Sequence, residues 1–352
     1  MRTAPRLPRK PNSSIMSSAQ PVTRRTLLQC GTALAMAGSL LLGACGKRTG
    51  AARAQGVLRA SIVGKGEGDT QLLLNTAGIT LTGFSLQFSN FASGQLVVEA
   101  LDGSALDLGE MSEIPPIFAA ASPIHSFRKI AVLHGDVNNQ VVLVPRGSPI
   151  NDLADLKGKR VGYVRATTAQ YFLIRMLESA GLSWGDINAI PMGVSDGLAA
   201  FSNGALDAWA IYGYPIQRAI ATEGARILKT ALGILSGNYL ISAHVDALAD
   251  PAKVELIGRY LRTVKLGYAW AAAHEEAWTH AIARDIGVPL SYVQDEFRRK
   301  SDVYSLRPVD AAAIASQQRV ADLFAQQQLL PKAVDVSFLW DDRFNNIILE
   351  KT

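Results

Sequence analysis

The sequence predicts an α/β protein with two α/β lobes, a two-segment hinge and a helical C-terminal tail. Three observations lead to this fold class. Short apolar runs alternate with helical patterns, which is typical of a parallel sheet covered by helices on both faces. This alternation restarts after residue 145, and from Pro251 onward the pattern is almost wholly helical. The predicted lobes are residues 57–144 with 237–352 (lobe 1) and residues 145–236 (lobe 2).

The individual elements follow from the spacing of apolar residues. Strands are predicted at residues 58–63, 81–88, 105–108 and 141–144, then at 161–164, 187–191 and 208–212. Helices are predicted at 69–77, 94–101, 115–121, 168–180, 196–203, 253–273, 276–286, 291–299 and 311–327. The proline pair Pro115 and Pro116 suits the first turn of its helix. We expect the chain to cross the hinge at about 141–145 and again at about 236–241.

The first 45 residues have the layout of an export signal. Arg24 and Arg25 precede an apolar segment, and small residues lead from it to Cys45. The paired arginines favour the twin-arginine route, and Cys45 is the predicted lipidation site, followed by a flexible tether at residues 46–56. Two alternatives stay open, an uncleaved transmembrane anchor and cleavage after residue 54. We expect an exported protein, in the periplasm or at the cell surface, held to the membrane by Cys45.

Composition excludes several classes of function. Residues 1–44 hold six of the 35 basic residues and no acid, which leaves 29 basic against 30 acidic residues in the mature protein. Such a near-neutral protein carries no signal for nucleic-acid binding. The two cysteines are Cys30 and Cys45, so the folded part has no thiol for a disulfide, a nucleophile or a metal. We expect a monomer without a metal or another cofactor.

Two loops that follow predicted strands suit an anion. Lys65 and Gly66 lie in the glycine-rich loop at residues 64–68. Such a loop can form a backbone nest that binds an anion, and Lys65 would add positive charge. A plain glycine-rich turn is the alternative interpretation. Thr167 and Thr168 open a helix whose free N–H groups suit an oxyanion, although Thr167 capping that helix is an equally good interpretation.

Aromatic residues end one predicted strand of lobe 2. Trp209 and Tyr212 stand at the carboxyl end of strand 208–212, where ligands bind in open parallel sheets. Their rings could wall the apolar part of a ligand. The ordinary place for such residues is the core, and this alternative stays open.

Two motifs are similar to enzyme sites. Residues 193–197 fit the nucleophile-elbow pattern around Ser195, but Ser195 or Asp196 capping the next helix explains the same residues. His274 and His280 are six residues apart, about 240° around a helix, whereas a helical pair of metal ligands needs a spacing of four. We interpret neither motif as a catalytic or metal site, and we expect that the protein is not an enzyme.

Four segments resemble the aliphatic-sulfonate, nitrate and taurine group of periplasmic solute-binding proteins. They are LDLGEMSEIPPIF at 106–118, SPINDLADLKGKRV at 148–161, FSNGALDAWAI at 201–211 and DLFAQQQLLPKAVD at 322–335. The resemblance implies the type II periplasmic-binding-protein fold, a small ligand held between two lobes, and delivery to an ABC permease and its ATPase. The related pyrimidine-precursor synthases of thiamin metabolism supply the alternative, a binding protein or enzyme of that type. Export favours the transport receptor.

The sequence departs from that family where the ligand's head group should bind. The family pattern Gly-x-Thr-Gly-Asp reads Gly-Glu-Met-Ser-Glu at residues 109–113, and Trp-Asp-Pro reads Tyr-Gly-Tyr at 212–214. If Glu110 faces the cleft, it repels a sulfonate or selects a ligand with a cationic part, so the small organic anion stays unidentified. The predicted ligand-binding residues are Lys65, Gly66, Ser93, Gly94, Glu110, Met111, Ser112, Thr167, Thr168, Ala169, Trp209, Tyr212 and Tyr239.

Overall fold

A computed structural model describes residues 56–350 of the chain. The predicted leader, its paired arginines, the lipidation site Cys45 and residues 46–55 of the predicted tether lie outside the described residues. Within the described range, no helix is both long enough and apolar enough to cross a bilayer.

The described residues form eleven strands in two sheets. The strands are β1 (Gly56–Val63), β2 (Phe84–Phe91), β3 (Leu108–Ser112), β4 (Phe127–His134), β5 (Gln140–Val144), β6 (Arg160–Tyr163), β7 (Asn188–Pro191), β8 (Ala208–Tyr212), β9 (Arg226–Thr230), β10 (Asn238–His244) and β11 (Ser305–Arg307). The first sheet has the order β11-β4-β10-β3-β1-β2, and the second has the order β7-β6-β8-β5-β9.

Both sheets are mixed, so the prediction of parallel sheets is only partly right. Strands β1, β2 and β3 are parallel to one another, as are β6, β7 and β8, because helices connect them in the predicted alternation. Strand β5 runs antiparallel to β8, and β10 runs antiparallel to β3. These two strands arrive directly from the other sheet. Without a helical crossover, they need not enter in the parallel direction.

Twelve α-helices surround these sheets within residues 56–350. They are α1 (Thr70–Thr76), α2 (Gly94–Asp102), α3 (Pro115–Ala120), α4 (Thr168–Ser179), α5 (Val194–Ser202), α6 (Pro215–Glu223), α7 (Val245–Ala249), α8 (Pro251–Ala273), α9 (Glu275–Ile286), α10 (Leu290–Arg298), α11 (Ala311–Gln326) and α12 (Asn345–Leu349). The predicted helical C-terminal tail is confirmed by α8 to α11.

The chain passes between the sheets twice, at residues 135–139 and 231–237. Strand β5 pairs with β8 and β9, so the second sheet begins at Gln140. The predicted boundary at 145 and the predicted hinge segment 141–145 had assigned this strand to the first lobe, because its sequence is equally apolar in either sheet. The two crossing segments touch each other, since the Gly135 amide donates to the Gly237 carbonyl at 3.0 Å.

Each sheet has its own apolar core, and a third cluster joins the two. Leu58, Tyr260 and Trp278 are buried against the first sheet, while Phe172 and Trp209 are buried against the second. The third cluster, which we call the seam, consists of Ile114, Ile117, Ile174, Val320, Ala321, Phe324, Leu330 and Val336. Helix α11 thus packs against α3 beside the first sheet and α4 beside the second.

Candidate functional site

A cavity lies between the two sheets and takes residues from both. It encloses about 960 Å³, counting the open space at its mouth. Five helices begin in its wall, with Gly94 of α2, Pro115 of α3, Thr168 of α4, Val194 of α5 and Pro215 of α6 as their first residues. The first N–H groups of a helix lack internal partners and form the positive end of its dipole, although Pro115 and Pro116 of α3 and Pro215 of α6 carry no N–H. The cavity wall therefore favours a negatively charged ligand.

The two threonines at the start of α4 have different roles. The Thr167 hydroxyl donates to the Val164 carbonyl at 2.7 Å and accepts from the Ala169 amide at 3.2 Å, so it caps the helix. Thr168 is the first helical residue and also lines the cavity. Because the Thr167 hydroxyl is already engaged in capping the helix, Thr168 is the better candidate for a ligand contact.

The glycine-rich loop after β1 does bind an anion, but the anion belongs to the protein. The Gly66 amide donates to a carboxylate oxygen of Asp285 at 2.8 Å, and Gly66 does not line the cavity. Lys65 does line it, near the mouth, and its ammonium lies 3.3 Å from the Asp285 carbonyl. One backbone amide of the predicted nest thus meets a carboxylate of the protein itself. The predicted use of the nest for the ligand through Gly66 is wrong, because Asp285 occupies it.

Glu110 lies in the cavity wall. Its Oε2 accepts a hydrogen bond from the Thr70 hydroxyl at 3.1 Å, and its backbone amide donates to Ser61 at 2.8 Å. Burial raises the pKa of Glu110 to about 7, helped by the charge of Asp69 and opposed by the Thr70 hydrogen bond. Near neutral pH the carboxyl group is therefore present in both forms. Its protonated form can donate a hydrogen bond to an anion, whereas its ionised form repels one.

Five tyrosines give the cavity an aromatic surface with polar edges. They are Tyr212, Tyr214, Tyr239, Tyr268 and Tyr304. The Tyr304 ring lies 5.6 Å from that of Tyr239 and stacks on that of Tyr268 at 5.7 Å. Burial raises the pKa of Tyr212 and of Tyr239 well above the ordinary value, so these phenols stay neutral. They offer apolar faces to a ligand chain and hydroxyl groups to its polar atoms.

Comparison with known proteins agrees with this geometry. Residues 120–277 match the family model described as NMT1/THI5 like. A protein of Escherichia coli (strain K12) named as an aliphatic sulfonates-binding protein is 31% identical over 252 residues, which are 71% of this chain and 77% of that protein. This chain belongs to the family of aliphatic-sulfonate-binding proteins. The resemblance to this family that we found in four sequence segments is thereby confirmed.

Solved structures of this family share the fold. The alkanesulfonate-binding protein SsuA from Xanthomonas axonopodis pv. citri, bound to MOPS, superposes with a TM-score of 0.72 at 27% identity, covering 80% of this chain and 96% of that one. The periplasmic aliphatic sulphonate binding protein SsuA from Escherichia coli gives 0.70 at 28% identity, covering 84% and 94%. The predicted periplasmic-binding-protein fold is confirmed.

Most of the residues predicted from the sequence meet in this cavity. Those that line it are Lys65, Gly94, Glu110, Met111, Ser112, Thr167, Thr168, Tyr212 and Tyr239. Gly66, Ser93, Ala169 and Trp209 do not. Ser93 and Ala169 each adjoin a lining residue. Trp209 is fully buried and packs 5.8 Å from the Phe201 ring in the core of the second sheet, so its predicted contact with the ligand is wrong.

Sequence reasoning missed several lining residues of this family member. Asn139 and Gln140 come from the first crossing segment and the start of β5, and Tyr268 and Tyr304 come from the helical tail. Asn139 and Gln140 were missed because the predicted boundary between the lobes lay at residue 145. The tyrosines carry no local signal, because only the packing of α8 against β1 and β11 and the pairing of β11 with β4 bring them to the cavity.

The side chains that drew attention to the two enzyme-like motifs, Ser195 in one and His274 and His280 in the other, do not line this cavity, although Val194 of the first motif does. Ser195 is an exposed residue in the first turn of α5 and does not line the cavity. The helix begins at Val194 with Gly193 as its N-cap, so the expected capping by Ser195 or Asp196 is wrong. Across residues 56–350, no group of three or more His, Asp or Glu side chains is arranged to hold a metal ion.

Proposed function

We propose that this protein is the extracytoplasmic substrate-binding component of an ABC importer, and that it binds a small organic anion such as an aliphatic sulfonate. The observation that carries the proposal is the convergence of five helix amino termini on one cavity, with Lys65 at its mouth. Such a wall stabilises a fixed anionic group without catalysing a reaction. The names of the relatives support the same ligand class. A permease and an ATPase are the partners that this function requires.

Calorimetric titration of the mature protein tests the proposal. Alkanesulfonates of two to six carbons are the probes, and the matching alcohols, which lack the anionic group, are the controls. We expect saturable one-to-one binding of at least one sulfonate and none of the alcohols. If no sulfonate in the series bound, the proposed ligand class would be wrong.

We infer that the two sheets are the centres of two lobes that close on the ligand. The proposed lobes are residues 56–134 with 238–350 and residues 140–230, with the crossing segments as the hinge. Separate apolar cores and only two crossings support this division. Tyr214 and Ala221 of the second lobe pack against the core of the first, as expected for a closed clamshell. A monomer is sufficient, because one chain supplies the whole cavity wall.

Thr168→Ala is expected to weaken sulfonate binding by about 1.5–3 kcal/mol, or roughly ten- to a hundredfold, because the anion loses a charge-assisted hydrogen bond. Thr168→Ser keeps the hydroxyl and should bind nearly as tightly as the wild type. Thr167→Ala should instead lower stability through loss of the helix cap. Calorimetry and thermal melting separate the two effects, and unchanged affinity in Thr168→Ala would place the anion elsewhere.

A second candidate is a binding protein or enzyme of the thiamin-pyrimidine-precursor type. The match of residues 120–277 to the family model described as NMT1/THI5 like favours it. We infer a receptor rather than an enzyme, since the relatives named above are binding proteins. A thermal-shift screen that includes aminopyrimidines beside sulfonates decides between the two ligand classes.

We further propose that the protein is exported, by the twin-arginine route, and anchored through lipid on Cys45. Cys45→Ser is expected to move the protein from the membrane fraction to the soluble periplasmic fraction and to leave sulfonate affinity unchanged. Fractionation followed by immunoblotting measures this. If mass spectrometry found a mature protein that begins at Gln55, the lipoprotein proposal would be wrong.

A further inference from the structure

Two amide oxygens in the cavity wall have no hydrogen-bond partner. Asn139 and Gln140 are 8% and 3% exposed and line the cavity where the first crossing segment enters the second sheet. Asn139 Oδ1 and Gln140 Oε1 accept no hydrogen bond from any residue in the range 56–350. A buried acceptor without a partner destabilises the folded state by about 1–3 kcal/mol, so such atoms are rare unless something else satisfies them.

The surrounding hydrogen bonds fix which atom of Gln140 is free. The Tyr239 hydroxyl donates to the Asp136 carbonyl at 3.1 Å, so its oxygen can only accept from Gln140. Gln140 Nε2 fills that role at 2.9 Å. Rotating the amide would set two acceptors against each other. The nitrogen is thereby held on Tyr239, and Oε1, buried in the cavity wall, is left without a donor.

Asn139 and Tyr268 extend this group. Asn139 Nδ2 donates to the Tyr304 hydroxyl at 3.3 Å, which leaves its Oδ1 as the free atom. The Tyr268 ring stacks on Tyr304, and the Tyr268 hydroxyl also lacks a partner within the described part of the chain. All three residues line the cavity. We call Asn139 Oδ1, Gln140 Oε1 and the Tyr268 hydroxyl the acceptor set.

We propose that the acceptor set selects a ligand that carries a hydrogen-bond donor, a hydroxyl or an amine, on the part of the molecule remote from its anionic group. The inference rests on the proposed function and narrows its substrate class. A plain alkyl chain would leave these oxygens unpaired when the cavity closes, and a site built to pair a donor discriminates against analogues that lack it. The helix amino termini hold the anionic group, and the acceptor set recognises the other end.

The test compares three sulfonates of equal chain length by calorimetric titration. They are propane-1-sulfonate, 3-hydroxypropane-1-sulfonate and 3-aminopropane-1-sulfonate. We expect the wild-type protein to bind the hydroxyl or the amino compound about three- to tenfold more tightly than propane-1-sulfonate. The two donor compounds together distinguish a neutral donor from a cationic one. Equal affinity for all three would overturn the inference.

Gln140→Met removes the acceptor while keeping the side chain's length. We expect it to reduce the advantage of the donor compounds over propane-1-sulfonate to about twofold or less. Gln217→Met is the matched control, since Gln217 is also 3% exposed with an unpaired Oε1 but does not line the cavity. It should preserve the wild-type ranking.

The outcomes separate this inference from the proposed function. If no sulfonate binds the wild type, the proposed function fails. If sulfonates bind but the advantage of the donor compounds survives in Gln140→Met, the function stands and the assignment of Gln140 is overturned. Asn139→Leu provides an independent variant should Gln140→Met fail to fold. The order in which the wild-type protein binds the three sulfonates tests the inference without either variant.

Discussion

Asp136→Ala is expected to lower the free energy of unfolding by about 3–5 kcal/mol. Asp136 is fully buried at the start of the first crossing segment. Its carboxylate accepts from the amides of Asn138 and Asn139 at 2.9 and 3.0 Å. It also accepts from the amide and hydroxyl of Ser301, both at 2.8 Å. Alanine would leave the amides of buried Asn139 and half-buried Asn138 unpaired and would release the loop at exposed Ser301. A typical domain has only about 5–15 kcal/mol of stability to lose.

Urea unfolding measures the effect, and Ser301→Ala is the graded control. That variant removes one of the four donors to Asp136 and the acceptor of the Val137 amide, so we expect a smaller loss, about 1–2 kcal/mol. A loss below about 1 kcal/mol in Asp136→Ala would show that water replaces the carboxylate and that the crossing segment is not held in this way.

The stability of the protein should also depend on pH through Glu110. Burial raises the pKa of this group to about 7 from its ordinary value of 4.5, so the native state holds the proton more tightly than the unfolded chain. Between pH 4.5 and pH 7 the native state binds more protons than the unfolded chain. The stability that Glu110 contributes therefore falls as the pH rises and is lost once the pH has passed about 7. The size of the effect is about 3 kcal/mol. Relative to wild type, Glu110→Gln should gain this amount between pH 5 and pH 8.5.

Unfolding curves of both proteins at the two pH values give the result. Glu255→Gln is the control, since Glu255 is exposed on α8, and its difference from wild type should be the same at both pH values. A Glu110→Gln difference that did not change with pH would show that Glu110 is ionised throughout.

The affinity for a sulfonate should also depend on the protonation of Glu110. The affinity of the wild type for propane-1-sulfonate is expected to fall above pH 7, and that of Glu110→Gln is not.

The parts of the fold that repeat locally were predictable from the sequence. Helices with a clear period, such as α8 and α11, and buried strands, such as β1 and β8, were found because their apolar spacing is local. Strands β4, β9, β10 and β11 were missed. All four pair only with strands far away in the chain, and such pairing leaves no local pattern. The strand predicted at 105–108 is displaced, since β3 covers Leu108–Ser112. Residues 109–112 were not included because glycine and glutamate are unusual in strands.

The half of the candidate site that is formed by helix starts and strand ends was predictable for the same reason. Thr168, Gly94 and Ser112 adjoin strand ends or helix starts, and those positions can be read from the sequence alone. The other half depends on where the crossing segments and the helical tail pack. Gln140 and Tyr268 meet across 128 positions in the sequence, and no spacing rule brings them together. The role of Trp209 was misjudged because each side of a buried strand is apolar, so its pattern does not tell which side faces the ligand.

If the two proposed lobes open and close, the seam determines how they can separate. Ile117, Ile174 and Phe324 lie on three different helices, and pulling these helices apart would expose each side chain to water at about 1.5–3 kcal/mol apiece. The rotation that exposes the least apolar surface keeps the seam closed. The rim of the cavity that lies farthest from the seam would then move most. Ligand would enter there, and a membrane partner that distinguishes empty from loaded protein would find the largest difference at that rim.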